Sequence, residues 1–352
     1  MSRFFTDKLA SLTPYTPGEQ PRDRAYVKLN TNESPFTPSP GVAAAVAEAC
    51  DRLQLYSDPE STALRQKLAQ TYGVRPEQVV VTNGSDEALN FAFMAFADEK
   101  APLVFPDITY GFYPVFAQLN NIPYTQIPLK ADFSIDSADY MGVGSTVVIA
   151  NPNAPTGLCL SLAQVEQIVR SNRDNVVIID EAYVDFGGES AVSLVDRFDN
   201  LLVIQTFSKS RSMAGARLGF AIGNETLIAD LNTIRYSTNP YNVDAMAEAA
   251  GVAALTENSY YMDNVKTIIR NREWTAQQLK ELGFRVLDSK ANFLFAASDR
   301  LGGGALYREL KARGVLVRHF AGERTAPFVR ITVGTREQME ILIKNIKDIL
   351  GD

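Results

Sequence analysis

Short apolar runs recur along the chain, and most are followed by a polar turn and a segment with helical spacing. The stretch QVVVTNGSDEALNFAFMAFA (78–97) shows all three in order: a strand, a glycine-bearing turn and an apolar helix. APLVF (101–105), STVVIANPNAPTG (145–157), NVVIIDEAYVDF (175–186), NLLVIQTFSKS (200–210) and GFAIG (219–223) hold further apolar runs of strand length. Helix candidates are GVAAAVAEACDRL (41–53), STALRQKLAQTYG (61–73), FYPVFAQLN (112–120) and SLAQVEQIVRSN (161–172). The second stops at Gly73, and the last opens on a capping box of Ser161 and Gln164. Near-continuous apolar strands separated by helices predict an α/β unit with a mostly parallel sheet covered on both faces. Ligands of such sheets sit beyond the carboxyl ends of the strands, so the polar residues after each run are the candidates for chemistry.

The texture changes near residue 236. A long amphipathic helix follows, with Val265, Ile268, Ile269, Leu279 and Leu282 on one stripe and Gly283 as its stop. FRVLDS (284–289), NFLFAA (292–297), VLVRHF (315–320) and FVRITVGT (328–335) read as strands, with helices at 306–314 and 336–350. Three parts are therefore expected: an arm over 1–29, a large domain over 30–235 and a smaller α+β domain over 236–352.

Composition narrows the function. The net charge is −7, which disfavours an electrostatic grip on nucleic acid. The two cysteines, Cys50 and Cys159, cannot frame a disulfide scaffold, and the single histidine, His319, excludes a His-rich metal site, so no metal is expected. No apolar run approaches the ~20 residues of a membrane span. The N-terminus has no apolar signal-type stretch, so a cytoplasmic location is expected.

Four strand ends carry unusual side chains. Gly84, Ser85 and Asp86 open a helix, where free amide groups and the positive dipole end suit a phosphate, although the same turn serves as a plain helix cap. Asn151 and Asn153 follow a buried strand in a turn stiffened by Pro152 and Pro155. Asp180 ends VVII and needs a cation or strong donors if buried, with Tyr183 three residues on. Thr206, Ser208 and Lys209 close LLVIQTF, and Arg217 follows. Each has a bland alternative, such as a snorkelling surface lysine. Together they supply an amine for a Schiff base, a carboxylate for a pyridine nitrogen and a phosphate cup, the parts of a pyridoxal 5′-phosphate site.

The chain resembles the fold-type I pyridoxal-phosphate aminotransferases, and within them the histidinol-phosphate aminotransferases. The resemblance rests on KLNTNESPF (28–36), YSDP (56–59), TNGSDE (82–87), NPNAPTG (151–157), IDEAYVDF (179–186), TFSKSRSMAGARLGF (206–220) and VRITVGT (329–335), in that order. It implies a large domain with a mostly parallel sheet of the seven-stranded type between helices, plus a small C-terminal α+β domain. It implies Lys209 as the Schiff-base lysine, Asp180 at the pyridine nitrogen, Tyr183 at the phenolic oxygen and Tyr110 on the ring. Ser208, Arg217 and the Gly84–Asp86 turn would hold the phosphate, with Thr206 a further cofactor-binding residue, and Arg330 the substrate carboxylate. Tyr56 matches a tyrosine supplied by the neighbouring subunit, so a homodimer with shared sites is implied. The family places Asn before the Pro of its Pro-Thr-Gly turn, where this chain has Ala154, so Asn153 or Asn151 is the expected substitute, with Asn153 the one assigned.

The resemblance implies L-histidinol phosphate as amino donor and 2-oxoglutarate as acceptor, giving imidazole-acetol phosphate and glutamate. One ligand bears a phosphate and the other two carboxylates, so two separated cations are wanted. Arg330 and Arg318 supply them, with Tyr15 of the arm and Asn32 as further substrate-binding candidates. Aromatic amino-acid aminotransferases and threonine-phosphate decarboxylases share most of this motif set and are the alternatives. A non-catalytic regulator is disfavoured by the retained Lys209.

Overall fold

The computed structural model describes residues 2–6, 9–10 and 12–351. At its centre lies a seven-stranded sheet in the order Val79–Thr82, Gly219–Gly223, Leu201–Thr206, Val177–Asp180, Thr146–Ala150, Leu103–Pro106 and Tyr124–Ile127. Gly219–Gly223 runs antiparallel to both neighbours, and all other pairs are parallel. Alternate residues feed two cores: Val147, Ile149, Val177 and Ile179 face one, and Val148, Ala150, Ile178 and Leu202 the other. That two-sided burial is why these strands read as continuous apolar runs. The edge strand Tyr124–Ile127 gives no such signal, because Thr125 and Gln126 are exposed.

The expected boundary near 236 needs correction. Position 236 lies inside the helix Glu225–Thr238. The next helix, Ala245–Thr256, still packs beside the large sheet, against Pro40–Cys50 and Thr62–Tyr72, with Ala247, Ala250 and Ala254 in the first core. The chain changes layer along Asn258–Glu281: Tyr261 belongs to the first core, whereas Val265, Ile268 and Leu279 belong to that of the second layer.

The second layer is a four-stranded antiparallel sheet, ordered Arg318–His319, Phe328–Thr332, Phe293–Ser298 and Phe284–Val286. The run VLVRHF divides. Val315–Leu316 leaves that sheet and pairs in parallel with Val27–Lys28 from the far end of the chain. The segment before Val27 docks on this layer too: Glu19 meets Tyr307 and Lys311, and Arg24 donates to the Ala312 carbonyl at 3.0 Å. Among the described residues no helix is long and apolar enough to cross a membrane.

Candidate active site

Two adjoining cavities open at the carboxyl ends of the large sheet, an inner one of about 280 Å³ and an outer one of about 660 Å³. Thr31, Tyr110, Ala154, Tyr183 and Lys209 line both.

Asp180 forms one end of the inner cavity and is 4% exposed. Its Oδ2 accepts from the Tyr113 hydroxyl at 2.9 Å and its Oδ1 from the Ala182 N–H at 3.2 Å. Burial pushes the carboxyl up to about 6, against the pull of those two donors. A carboxylate with two of its roughly four acceptor positions filled retains capacity for a cationic N–H from the cavity.

The opposite end is built for an anion. The helix Gly84–Phe96 begins there, with Gly84 in the left-handed region at φ 75°. A Cβ on Gly84 would lie 2.7 Å from the Arg217 guanidinium, so only glycine lets the arginine approach this turn. Ser85, Ser208 and Arg217 face the cavity there with Thr206, whose Oγ1 accepts from the Ser208 N–H at 3.1 Å. Arg217 is exposed and ion-pairs with Asp86 at 3.0 Å, and the other Asp86 oxygen accepts from the Tyr110 hydroxyl at 2.7 Å. The Tyr110 ring forms part of the wall between the two cavities and meets Tyr113 edge-on at 5.7 Å.

Lys209 is half-buried between the two ends. Its Nζ lies 3.4 Å from the Thr31 carbonyl and 5.7 Å from the centre of the Tyr183 ring.

The outer cavity is walled by the second layer and the arm. Arg318 and Arg330 stand directly opposite each other across the antiparallel pair Arg318–His319 and Phe328–Thr332. Like charges so placed repel, and an anion between them removes the cost. Arg330 donates to the Asn30 carbonyl at 2.9 Å, and its buried Nε has no partner among the described residues. Desolvation disfavours its charged form, with Arg318 adding repulsion. Arg318 holds the arm through the Thr16 and Pro17 carbonyls, at 3.1 and 3.2 Å. Tyr15 of the arm stacks on Phe112 at 4.3 Å beside Tyr110.

One expected residue stands elsewhere. Asn153 is turned away from the cavity that Ala154 lines: its amide donates to Ile108 and Thr156, and its Oδ1 accepts from Thr109. Asn151 is likewise closed on the Leu160 backbone, so neither replaces an asparagine at 154. Tyr56 is 82% exposed, stacked on Tyr241 at 4.4 Å and absent from both cavity walls. Asn32 does reach the site, yet its amide is spent on Tyr183 at 3.0 Å and Thr332 at 3.0 Å. Tyr113 is a further site residue that the strand-end pattern does not mark; its spacing of three from Tyr110 at a helix start is the one signal in the sequence.

The profile of the family "Aminotransferase class I and II" matches residues 24–346. The chain belongs to that family. Among curated relatives it is 50% identical to the histidinol-phosphate aminotransferase of Brachyspira hyodysenteriae, over 99% of each chain. It is 49% identical to histidinol-phosphate aminotransferase 1 of Bradyrhizobium diazoefficiens, over 99% of this chain and 100% of that one. Among solved structures, the Sinorhizobium meliloti histidinol-phosphate aminotransferase in complex with pyridoxal-5′-phosphate superimposes with a TM-score of 0.90 at 22% identity, covering 100% of this chain and 98% of that one. A putative histidinol-phosphate aminotransferase from Erwinia carotovora atroseptica gives 0.84 at 25% identity, over 92% and 96%.

An aminotransferase of this family needs a place for one flat, phosphorylated ring. The inner cavity is lined by a carboxylate, a lysine amine and an anion cradle. The residues present fit pyridoxal phosphate. Among the described residues no group of His, Cys, Asp or Glu could hold a metal ion.

Proposed function

We propose that this aminotransferase transfers the amino group of L-histidinol phosphate to 2-oxoglutarate with pyridoxal phosphate, yielding imidazole-acetol phosphate and glutamate in histidine biosynthesis. One observation carries the reading: Lys209 and Asp180 line a single cavity of about 280 Å³ whose far end is a helix N-terminus with Ser208 and Arg217. The relatives at 50% and 49% identity bear the histidinol-phosphate name, which supports this substrate over an aromatic amino acid or a decarboxylase reading.

Bound pyridoxal phosphate supplies an aldehyde for condensation with amines and a protonated ring that takes up the electron pair of a broken C–H bond. Asp180 would keep the ring nitrogen protonated, Tyr183 would offer a hydroxyl to the phenolic oxygen, and Tyr110 would cover the ring. Ser208, Arg217 and the backbone amides of Gly84–Asp86 hold the phosphate, with Thr206 bracing Ser208. Lys209 would carry the covalent link to the cofactor. Its amine is the base placed to take the proton from the substrate carbon and, once protonated, the acid to return it. Arg330 clamps a carboxylate and Arg318 faces it, so one cavity serves both the phosphate of the donor and the distal carboxylate of the acceptor. Tyr15 closes the arm side.

The active form is a homodimer in the cytoplasm, with Tyr56 completing the neighbouring site. The exposed Leu53, Leu55, Tyr56, Tyr236 and Tyr241, with Tyr56 stacked on Tyr241 at 4.4 Å, support this. The test of the whole reading is glutamate formation from 2-oxoglutarate and histidinol phosphate by the reconstituted protein. Loss of turnover in Lys209→Ala is expected. Turnover of phenylalanine without turnover of histidinol phosphate would overturn the substrate.

A further inference from the structure

Asn32 follows the strand Val27–Lys28 and is buried, at 1% exposure. Its φ of 56° is left-handed, a conformation that asparagine tolerates better than most side chains. Four hydrogen bonds converge on it. Its backbone N–H donates to Thr332 Oγ1 at 2.9 Å, and its carbonyl accepts from Asn292 at 3.0 Å. Its Oδ1 accepts from the Thr332 hydroxyl at 3.0 Å, and its Nδ2 donates to the Tyr183 hydroxyl at 3.0 Å.

These bonds have a direction. Thr332 Oγ1 already accepts from the Asn32 backbone, so its own proton goes to Asn32 Oδ1. That fixes the amide with Nδ2 toward Tyr183. The flipped amide would strand the Thr332 proton, which is buried at 3% exposure. An oxygen that accepts from Nδ2–H cannot donate back to it. The Tyr183 proton is thereby left for the cavity, where Lys209 and Ala154 stand.

The same bonds reach the substrate side. Thr332 and Arg330 are two residues apart on one strand and so share a face. The backbone of 29–32 lies along that strand: Leu29 O accepts from the Thr332 N–H at 2.9 Å, and Asn30 O accepts from Arg330 at 2.9 Å. Ala154 offers no side-chain donor, and Asn151 and Asn153 point elsewhere. The titratable groups around the Tyr183 hydroxyl are Lys209, Arg330, Tyr110 and Tyr113.

We propose that Asn32 is a positioning residue: it aims the Tyr183 proton at the phenolic oxygen of the cofactor and ties that proton to the strand carrying Arg330. The inference rests on the pyridoxal-phosphate reading above. It gives Asn32 a role through Tyr183 rather than a direct contact with substrate, and it supplies an orienting group where Ala154 cannot.

Two variants separate orientation from packing. Asn32→Asp keeps the shape but turns the donor into an acceptor, drawing the Tyr183 proton away from the cavity. Asn32→Gly keeps the left-handed backbone and removes the side chain. The readout is the pH midpoint of the visible absorption of the reconstituted protein, with kcat and KM alongside. Loss of one hydrogen bond to a charged oxygen moves that midpoint upward by about one pH unit. We expect this in Asn32→Asp, a smaller rise in Asn32→Gly, and a fall in kcat of about tenfold in Asn32→Asp. In a Tyr183→Phe background neither Asn32 change should move the midpoint further. Midpoints unchanged in both variants while Tyr183→Phe shifts it overturn this inference alone. No visible absorption in the reconstituted wild type overturns the cofactor reading, and this one with it.

Discussion

The Tyr113 hydroxyl donates to Asp180 at 2.9 Å in a place where neither group meets bulk water, since Tyr113 is fully buried and Asp180 nearly so. The Tyr113 ring is held between Phe93, Phe105 and Tyr110, so the hydroxyl cannot swing to another partner. Removing it leaves the carboxylate with the Ala182 N–H as its remaining donor. A hydrogen bond to a charged group is worth about 1.5–3 kcal/mol. Tyr113→Phe should therefore weaken pyridoxal phosphate binding roughly ten- to a hundredfold. Titration of the apoprotein with the cofactor measures this, and unchanged affinity would remove Tyr113 from the site.

Asp180 is held at a cost to the fold. Its carboxyl rises from 3.8 to about 6 because burial opposes its charge. A raised carboxyl makes its most favourable contribution below pH 4 and loses it as pH climbs through about 6. Asp180→Asn keeps the neutral form at every pH, and the Tyr113 hydroxyl can accept as well as donate. The apoprotein of this variant should melt higher than wild type at pH 8, by a few kcal/mol at most. The difference should vanish toward pH 4, while transamination is lost. Thermal melts at several pH values decide it, and a variant less stable at pH 8 contradicts the burial argument.

Gly219 is the first residue of the antiparallel strand, and a Cβ there would sit 2.5 Å from both the Gly84 carbonyl carbon and the Ser85 nitrogen. Backbone cannot yield as a flexible side chain does. Gly219→Ala should push the helix start away from the phosphate end and destabilise the protein by about 1–3 kcal/mol. Cofactor affinity should fall more than it does in a surface Gly→Ala control such as Gly215→Ala, where a Cβ meets nothing.

Arg330→Lys preserves charge but loses the planar fork. The KM for 2-oxoglutarate should rise roughly tenfold or more, with a smaller effect on kcat. Steady-state kinetics with varied acceptor test this, and an unchanged KM moves the carboxylate elsewhere.

The proposed homodimer makes a sharp prediction for mixtures. On that proposal, Lys209→Ala and Tyr56→Ala damage the same site from different subunits. A mixed dimer carries one doubly damaged site and one intact site. Refolding the two variants together should raise activity well above the sum of the separate preparations. No gain on mixing would place Tyr56 outside catalysis.

The strand-end rule located the site because burial on two faces leaves a parallel strand with polar residues only past its end. Asp180 and Lys209 stand out in the sequence for that reason. Tyr113 does not, because FYPVF presents it as one more apolar ring. The direction of Asn153 was illegible too, since a turn fixes where a side chain points and composition does not. The boundary expected near 236 departs from the structure for a similar reason. Ala245–Thr256 is alanine-rich all round and carries almost no facial asymmetry, so nothing marks which layer it joins.

The parallel pairing of Val27–Lys28 with Val315–Leu316 joins the two ends of the polypeptide. During synthesis Val27–Lys28 has no strand to pair with until the residues near 316 have left the ribosome. The seven-stranded body can assemble well before that moment. The mouth of the active centre is thus a late product of translation, and a truncated nascent chain would hold a folded body with an unfinished entrance.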